Sequence, residues 1–539
     1  MRWNKVLLAV SISAVLGGCG DGTQQKVEGV VEAPQNEPPV SVTDPTFPTG
    51  VTFSEVGVHD PSVIRLDDGT FYIFGSHMAY ASSTDLVNWT QLNPAAANNE
   101  DAAANTPLFN TYPSEVSEGI DWVGGNIGSW ASDVIQLGDG RYYFYYNHCA
   151  LPDTGNCVSR SYLGVAVSDN IDGPYEDLGL ILTTGHVGAE NPGINGEDYD
   201  GNVHPNAIDP DVFFDKEGRL WMVYGSYSGG IWIMEMDPQT GMAMPDQGYG
   251  TKLMGGFYSA IEGPYMIYSP ESDYYYLFTS FGGYNNADGY NMRIARSRNP
   301  DGPFVDSLGQ DMIGASGGWS SIEQYGNKVM GGFLFDVNPG EAGSDNGYMA
   351  PGHNSAYYDE ETGKYFVIFH TRFPGSGEFH NVRVHEMFVN EDGWLVVAPH
   401  RYVPVEGDNI ADETDLFGTF KLINHGSDID REAKVSTYIT LEDYNIVSGD
   451  VTGKWYYEAD NTVRLYLDGR GTFKGVSSWQ YNENNGQFVP TFTAVNEEGV
   501  AIWGSKLLEN DDATALTNAL AAISFPAETT VDVTLPAIG

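Results

Sequence analysis

The chain has 539 residues, with 73 Asp and Glu against 25 Lys and Arg and a formal net charge of −48. That balance excludes nucleic acid as a partner, because phosphate binding needs a basic face, and it disfavours docking on an anionic membrane through basic residues. Disorder is excluded as well, since 41% of the residues are hydrophobic and 13% aromatic; 65 Gly, 33 Tyr and 25 Phe favour turns and strands over helices.

At the N-terminus, Arg2 and Lys5 precede an uncharged apolar run at 6–18. The run is shorter than the roughly 20 residues that cross a bilayer, so residues 1–18 read as a secretory signal. The end of the run, Leu16-Gly17-Gly18-Cys19, resembles a bacterial lipobox. The resemblance implies lipidation of Cys19, a cell-envelope location, and contact with the membrane through that anchor alone. An ordinary signal peptide that contains a cysteine is the alternative. Residues 19–50 hold Pro34, Pro38, Pro39, Pro45 and Pro48 without an apolar period and read as a flexible tether. Two further cysteines, Cys149 and Cys157, flank a turn-rich segment. In an oxidising exterior this spacing suggests a local disulfide, with two free thiols as the alternative. Neither C-x-x-C nor H-E-x-x-H occurs, so a zinc site is not indicated.

From residue 51 one phrase recurs five times: a short apolar run, a turn centred on an acidic residue and usually Gly, then an aromatic-rich strand. The copies begin at His59-Asp60-Pro61, Trp130-Ala131-Ser132, Ile208-Asp209-Pro210, Ile261-Glu262-Gly263 and Gly352-His353-Asn354. Asp68-Gly69, Asp139-Gly140 and Glu217-Gly218 supply hairpin turns between β-formers. Each hairpin is followed by another strand and turn, which predicts an all-β, five-bladed β-propeller at 51–404. The spacing of about 73 residues exceeds that of a bare blade, so long loops decorate one face.

Aligned on their apolar runs, the copies place Asp60, Ala131, Asp209, Glu262 and His353 at one register. In a propeller these positions head the innermost strands and converge on the axis. Any single carboxylate in so acidic a chain means little; three at one register carry weight. Such a trio suits glycoside hydrolysis, which needs a protonated acid at the leaving oxygen and an ionised carboxylate across the sugar. Crowding of like charges raises the proton affinity of the acid. Asp211 lies one step deeper on the same strand face.

His59-Asp60-Pro61-Ser62, Ile208-Asp209-Pro210 and Glu262-Gly263-Pro264 resemble the three motifs of glycoside hydrolase family 43. Asn206-Ala207-Ile208-Asp209-Pro210, the run from Gly225 to Gly230 and Gly352-His353-Asn354-Ser355 look like its endo-α-1,5-L-arabinanase branch. The resemblance implies inverting hydrolysis of arabinan or its oligosaccharides. Asp60 would be the general base, Glu262 the general acid and Asp209 the group that keeps Glu262 protonated and oriented. Inversion implies carboxyl groups about 6.5–9.5 Å apart. The same resemblance implies a metal ion, calcium, near His353, held mostly by water because no Asp-rich calcium loop is present. It also assigns Gly128, Asn206, Ser226, Tyr227 and Ser228 to the substrate, with Asp60. Trp130, just ahead of the second inner strand, is a further candidate platform, as is Trp122; Trp221 alternates into a strand core.

Gly314-Ala315-Ser316-Gly317-Gly318 fits the G-x-S-x-G nucleophile elbow, but the motif needs a strand before it and a helix after it. A strand-like run is expected after Trp319 instead. Residues 405–539 show strand signals at 435–441, 463–467, 471–478 and 500–503 and are expected to form a small β-barrel, a place and size similar to the accessory domain of one arabinanase branch. No acid pair clusters there. An exo-acting α-L-arabinofuranosidase or β-xylosidase shares the three motifs and is the enzymatic alternative; a glycan-binding propeller lipoprotein is the non-enzymatic one. A monomer is expected.

Overall fold

The computed structural model describes residues 45–94, 106–151, 156–187, 196–339 and 341–508. The signal segment at 1–18, Cys19 and the tether up to residue 44 lie outside the described residues. Four consecutive antiparallel sheets of four strands come first. They are built from Ser62–Arg65 (β1), Phe71–Phe74 (β2), Tyr80–Ser83 (β3) and Trp89–Asn93 (β4); Asp133–Gln136 (β5), Tyr142–Cys149 (β6), Ser161–Ser168 (β7) and Glu176–Thr183 (β8); Asp211–Phe214 (β9), Leu220–Tyr224 (β10), Ile231–Met236 (β11) and Thr251–Met254 (β12); and Ile261–Ser269 (β13), Tyr274–Phe281 (β14), Asn291–Ser297 (β15) and Asn327–Met330 (β16). The fifth blade contains Phe333–Phe335 (β17), Asn346–Asp359 (β18), Lys364–Arg372 (β19), His380–Val389 (β20) and Leu395–Val397 (β21). The strands β1, β5, β9, β13 and β18 touch in that order and β18 returns to β1, which closes a ring of five.

Both faces of a blade pack on neighbours, so the second strand of each is apolar without alternation. Tyr142–Cys149, for example, is buried over all but its first residue. A separate buried cluster fills each gap between blades. Phe74, Phe144 and Tyr146 seal the first to the second, and Ile73, Trp89, Phe366 and Val384 seal the fifth to the first. Among the described residues no strand is shared across that last seam. Instead Val382 N–H donates to the carbonyl of Val56 at 3.0 Å, and Arg383 and Arg401 grip Glu55 at 2.5 and 2.8 Å.

Eight further strands form a closed barrel: Gly418–Asn424, Thr437–Glu442, Ile446–Gly449, Gly453–Tyr457, Thr462–Leu467, Gly471–Asn482, Gln487–Asn496 and Ala501–Lys506. Its core is separate, yet Ile423 and Trp503 join the cluster between the fourth and fifth blades. Three expectations are corrected here. The strand signal at 435–441 divides: Lys434–Val435 pairs in parallel with β17 in the propeller, and only Thr437–Glu442 enters the barrel. The end of the expected tether, at 45–50, is docked, because Phe47 stacks on Phe488 at 4.5 Å and leans on Trp479 while Thr46 bridges to Glu406. After Trp319 a helical turn, Trp319–Ile322, replaces the strand-like run, and a 3-10 turn, Met312–Gly314, precedes Ser316 in place of the strand that an elbow requires.

Below the heads of the inner strands, neighbouring blades are tied by carboxylates. Asp133 accepts from Ser62 Oγ at 2.5 Å and from Val212 N–H at 2.8 Å, and Asp211 accepts from Met266 N–H at 2.7 Å. Asp211 therefore braces the ring from the deeper step. Burial lifts the Asp133 carboxyl to about 6 from an ordinary 3.8. Burial, then the charge of Asp133, lifts Asp211 well above its ordinary value. A carboxyl whose proton affinity rises on folding adds stability that is complete below about pH 4 and is lost as the pH climbs through about 6. Asp133→Asn keeps an acceptor but cannot ionise, so its Tm relative to the wild type should rise between pH 4 and pH 7. Parallel Tm curves would show that burial does not penalise the Asp133 charge.

Candidate active site

The first residue of each inner-strand turn has a left-handed backbone: Asp60 at φ 57°, Ala131 at 31°, Asp209 at 54°, Gly263 at 58° and His353 at 44°. This places four of the five expected positions and corrects the fifth. A bulge between Glu262 and Tyr265 in the fourth blade matches one between Gly352 and Ser355 in the fifth, which sets Gly263 level with His353 and Met266, not Tyr265, level with Ala356. Gly263 therefore occupies the shared register and Glu262 stands one step earlier, level with His59, Trp130 and Ile208. Only glycine fits there, since a Cβ on Gly263 would lie 2.9 Å from His353 Cγ. Glu262 still reaches the same cavity, being one methylene longer than Asp.

That cavity has a volume of about 780 Å³, and Asp60, Asp209, Glu262 and His353 line it together with Trp130, Asn206, Ser226 and Tyr227. Gly128 and Ser228 stand behind the wall instead. The Gly128 carbonyl meets His148 Nδ1 at 2.9 Å, and Ser228 Oγ donates to the Val158 carbonyl. Trp122 also lies outside the lining, with its Nε1 donating to the carbonyls of Ser161 and Thr184. Trp221 is buried and donates to Asp215 at 2.8 Å. Cys149 and Cys157 are joined as a disulfide, and Cys157 and Val158 form part of the cavity wall. The backbone of this loop also holds Asn206, whose Nδ2 donates to the Cys157 carbonyl at 2.9 Å.

Several lining residues escaped the sequence reading: His59, Ser76, His77, Tyr284 and His380. The signal for His59 was its place directly before Asp60. Ser76 ends the first copy where Ser226 ends the third, His77 and Tyr284 come from loops between second and third strands that share no repeat, and His380 opens β20.

The carboxylates differ in environment. Asp60 is buried, which alone would raise its pKa, but His353, His59 and His370 together pull it well below the ordinary range. His59 Nδ1 and His353 Nδ1 lie 2.8 and 3.1 Å from Asp60 Oδ1, and Ser76 Oγ donates to Oδ2. The Asp60 N–H donates to His370 Nδ1 at 3.2 Å, and the His370 ring stacks on His59 with centroids 3.8 Å apart. Asp209 is lifted well above its ordinary value by burial, then by Glu262 and Asp60, with Gly263 N–H at 3.2 Å offsetting part. Burial also raises Glu262; His353 opposes this, Asp60 adds to it, and Ser226 Oγ donates to its Oε2 at 3.0 Å. One carboxylate is thus held charged beside two that favour their protons, the division of labour acid–base catalysis requires.

The family model for glycosyl hydrolases family 43 matches residues 52–395, and one for a C-terminal lipocalin-like domain matches 399–504. The chain therefore belongs to glycoside hydrolase family 43 and is a glycoside hydrolase by fold and site. It is 47% identical over 462 residues to extracellular endo-α-(1→5)-L-arabinanase 2 of Bacillus subtilis, covering 84% of this chain and 94% of that protein. It is 44% identical over 468 residues to an extracellular endo-α-(1→5)-L-arabinanase of Thermotoga petrophila, covering 85% and 95%. The crystal structure of endo-1,5-α-L-arabinanase from Thermotoga petrophila superposes with a TM-score of 0.79 at 43% identity, over 85% of this chain and all of that one.

Proposed function

We propose that the protein is an endo-acting hydrolase of the α-1,5-L-arabinofuranosidic bonds of arabinan, working with inversion. The observation that carries this is the opposed proton affinity of carboxylates lining one cavity. Asp60, held charged, takes a proton from water as the water oxygen attacks the anomeric carbon. The bond to the leaving oxygen breaks as Glu262 gives that oxygen its proton. Asp209 and Glu262 titrate as a pair, so charge on one strengthens the hold of the other on its proton. Trp130 and Tyr227 offer aromatic surface to the sugar, and Asn206 and Ser226 offer polar contacts.

Calcium is the proposed metal, with His353 as its protein anchor. The donor chemistry is compatible: Nδ1 of His353 faces Asp60, which leaves Nε2 to meet a ligand, and the next residue, Asn354, has a buried Oδ1 without a partner. His353 and Asn354 share the wall of a small axial cleft with Ser132, whose buried Oγ is also unpartnered. Unsatisfied oxygens suit a hydrated cation. When bound, it would supply positive charge that favours the ionised form of Asp60.

The relatives named extracellular support export through residues 1–18. Anchoring through a lipidated Cys19, as a monomer carrying a propeller at 51–404 and a barrel at 405–539, completes the proposal.

Linear arabinan should yield short oligomers early when products are separated by size. Monomer alone would mean exo action, and no release would reject the hydrolase reading. Glu262→Gln should lower turnover by about a thousandfold or more while polymer binding persists; near-normal turnover would place the acid elsewhere. After dialysis against calcium and then metal-free buffer, elemental analysis should find one calcium per wild-type chain and none in His353→Ala, and equal content would reject His353 as anchor. Cys19→Ala should move the expressed protein from the membrane fraction to the soluble fraction; an unchanged distribution would reject the anchor.

A further inference from the structure

In the connection from the third blade to the fourth, four consecutive residues have a left-handed backbone: Gly255 at φ 80°, Gly256 at 122°, Phe257 at 54° and Tyr258 at 56°. Two glycines adopt this conformation without penalty, whereas two aromatic residues do not. Phe257 nevertheless stays 63% exposed and Tyr258 42%. Burial therefore repays little of the cost of placing these rings. Strain of this kind persists where the surroundings over-determine it, and it concentrates at functional sites.

The surroundings do over-determine it. Phe257 N–H donates to the Asn202 carbonyl at 2.9 Å, and Tyr258 N–H donates to the Ser228 carbonyl at 3.0 Å. Gly229 N–H closes the stack on the His204 carbonyl at 2.8 Å. A Cβ on Gly201 would lie 2.1 Å from the Tyr258 hydroxyl, and one on Gly230 would lie 2.0 Å from the Met254 carbonyl oxygen, so three loops meet backbone to backbone. The same loops carry Asn206, Ser226 and Tyr227 of the cavity wall, and Glu262 follows Tyr258 by four residues.

We propose that Phe257 and Tyr258 form a distal subsite, a rigid aromatic step that takes a furanose unit of the arabinan chain outside the catalytic cavity. The proposal rests on the arabinan reading above. Such a step suits a neutral, weakly polar sugar face, which packs on aromatic surface and needs no charge. It is prebuilt, so binding there orders little of the protein. A substrate too short to extend past the cavity gains nothing from it.

The test compares wild type with Phe257→Gly on linear arabinan and on arabinotriose. Glycine relieves the left-handed backbone and removes the ring. The Tm should hold or rise while KM for the polymer increases about 3- to 10-fold, the loss of one aromatic contact. The kcat on the polymer and both constants on the trimer should stay within about twofold of wild type, since a lost remote contact of uniform strength moves KM alone. Tyr258→Ala should change polymer KM in the same direction. An unchanged polymer KM, or an equal rise for the trimer, overturns the proposal. Should Phe257→Gly lower the Tm, Phe257→Asn, which tolerates the same backbone and cannot stack, replaces it under the same criteria. If the wild type releases nothing from arabinan, the hydrolase reading fails and the subsite fails with it. An active wild type with indifferent variants sinks the subsite alone.

Discussion

The left-handed residue at the head of every inner strand is the constraint on which the site depends. In a propeller the inner strands run beside the axis, and an ordinary extended entry would send the first side chain into the gap between blades. Reversing one φ at Asp60, Ala131, Asp209, Gly263 and His353 turns the chain at the same height in all five blades. Three of these turns aim polar side chains at the axis, one carries a methyl group, and the fourth blade uses glycine so that its neighbour Glu262 and the ring of His353 can both fit. The fold thus determines the height at which chemistry is possible, and the residue at each head determines which chemistry.

Histidine concentration around one carboxylate explains why Asp60 behaves differently from Asp209. The rings of His59, His353 and His370 crowd Asp60, and Arg372 approaches the far nitrogens of His59 and His370 at 3.4 Å while its own charge is met by Glu378 at 2.6 Å. Asp209 has a backbone N–H and the two other carboxylates. Burial is common to all three, so the difference comes from the partners that each blade contributes.

The propeller was legible because five copies of one phrase share turns, apolar runs and aromatic strands, and repetition suppresses noise that a single hairpin would carry. Asp60, Asp209 and His353 were found at their register for the same reason. Glu262 was matched one position out because the fourth copy was aligned on Tyr265, whereas Met266 is the residue level with Ala356. Gly128 and Ser228 were drawn from neighbouring motif letters, and they support the wall through a carbonyl and a hydroxyl. Tyr284 and His77 sit on loops that differ in every blade, and His380 opens the third strand of the fifth blade, beyond the repeated phrase, so no comparison among copies could expose them. Phe47 looked like part of a linker because its partners, Trp479 and Phe488, lie more than four hundred residues later. Such long-range pairing is set by the closed fold and is invisible to local pattern.

That pairing bears on the seam between the fifth and first blades. With no strand shared across it among the described residues, the seam relies on Val56, Glu55, Arg383 and Arg401, and Arg401 also holds Glu483 of the barrel at 3.1 Å. The segment that leads into the first blade is therefore fastened by residues of the fifth blade and of the barrel. Val382 and Arg383 belong to the fifth blade itself, and the barrel adds Glu483 behind Arg401 and seats Phe47 on Trp479 and Phe488. An accessory domain in this position is a second fastening on the seam, reached through Arg401 and through the segment that leads into the first blade.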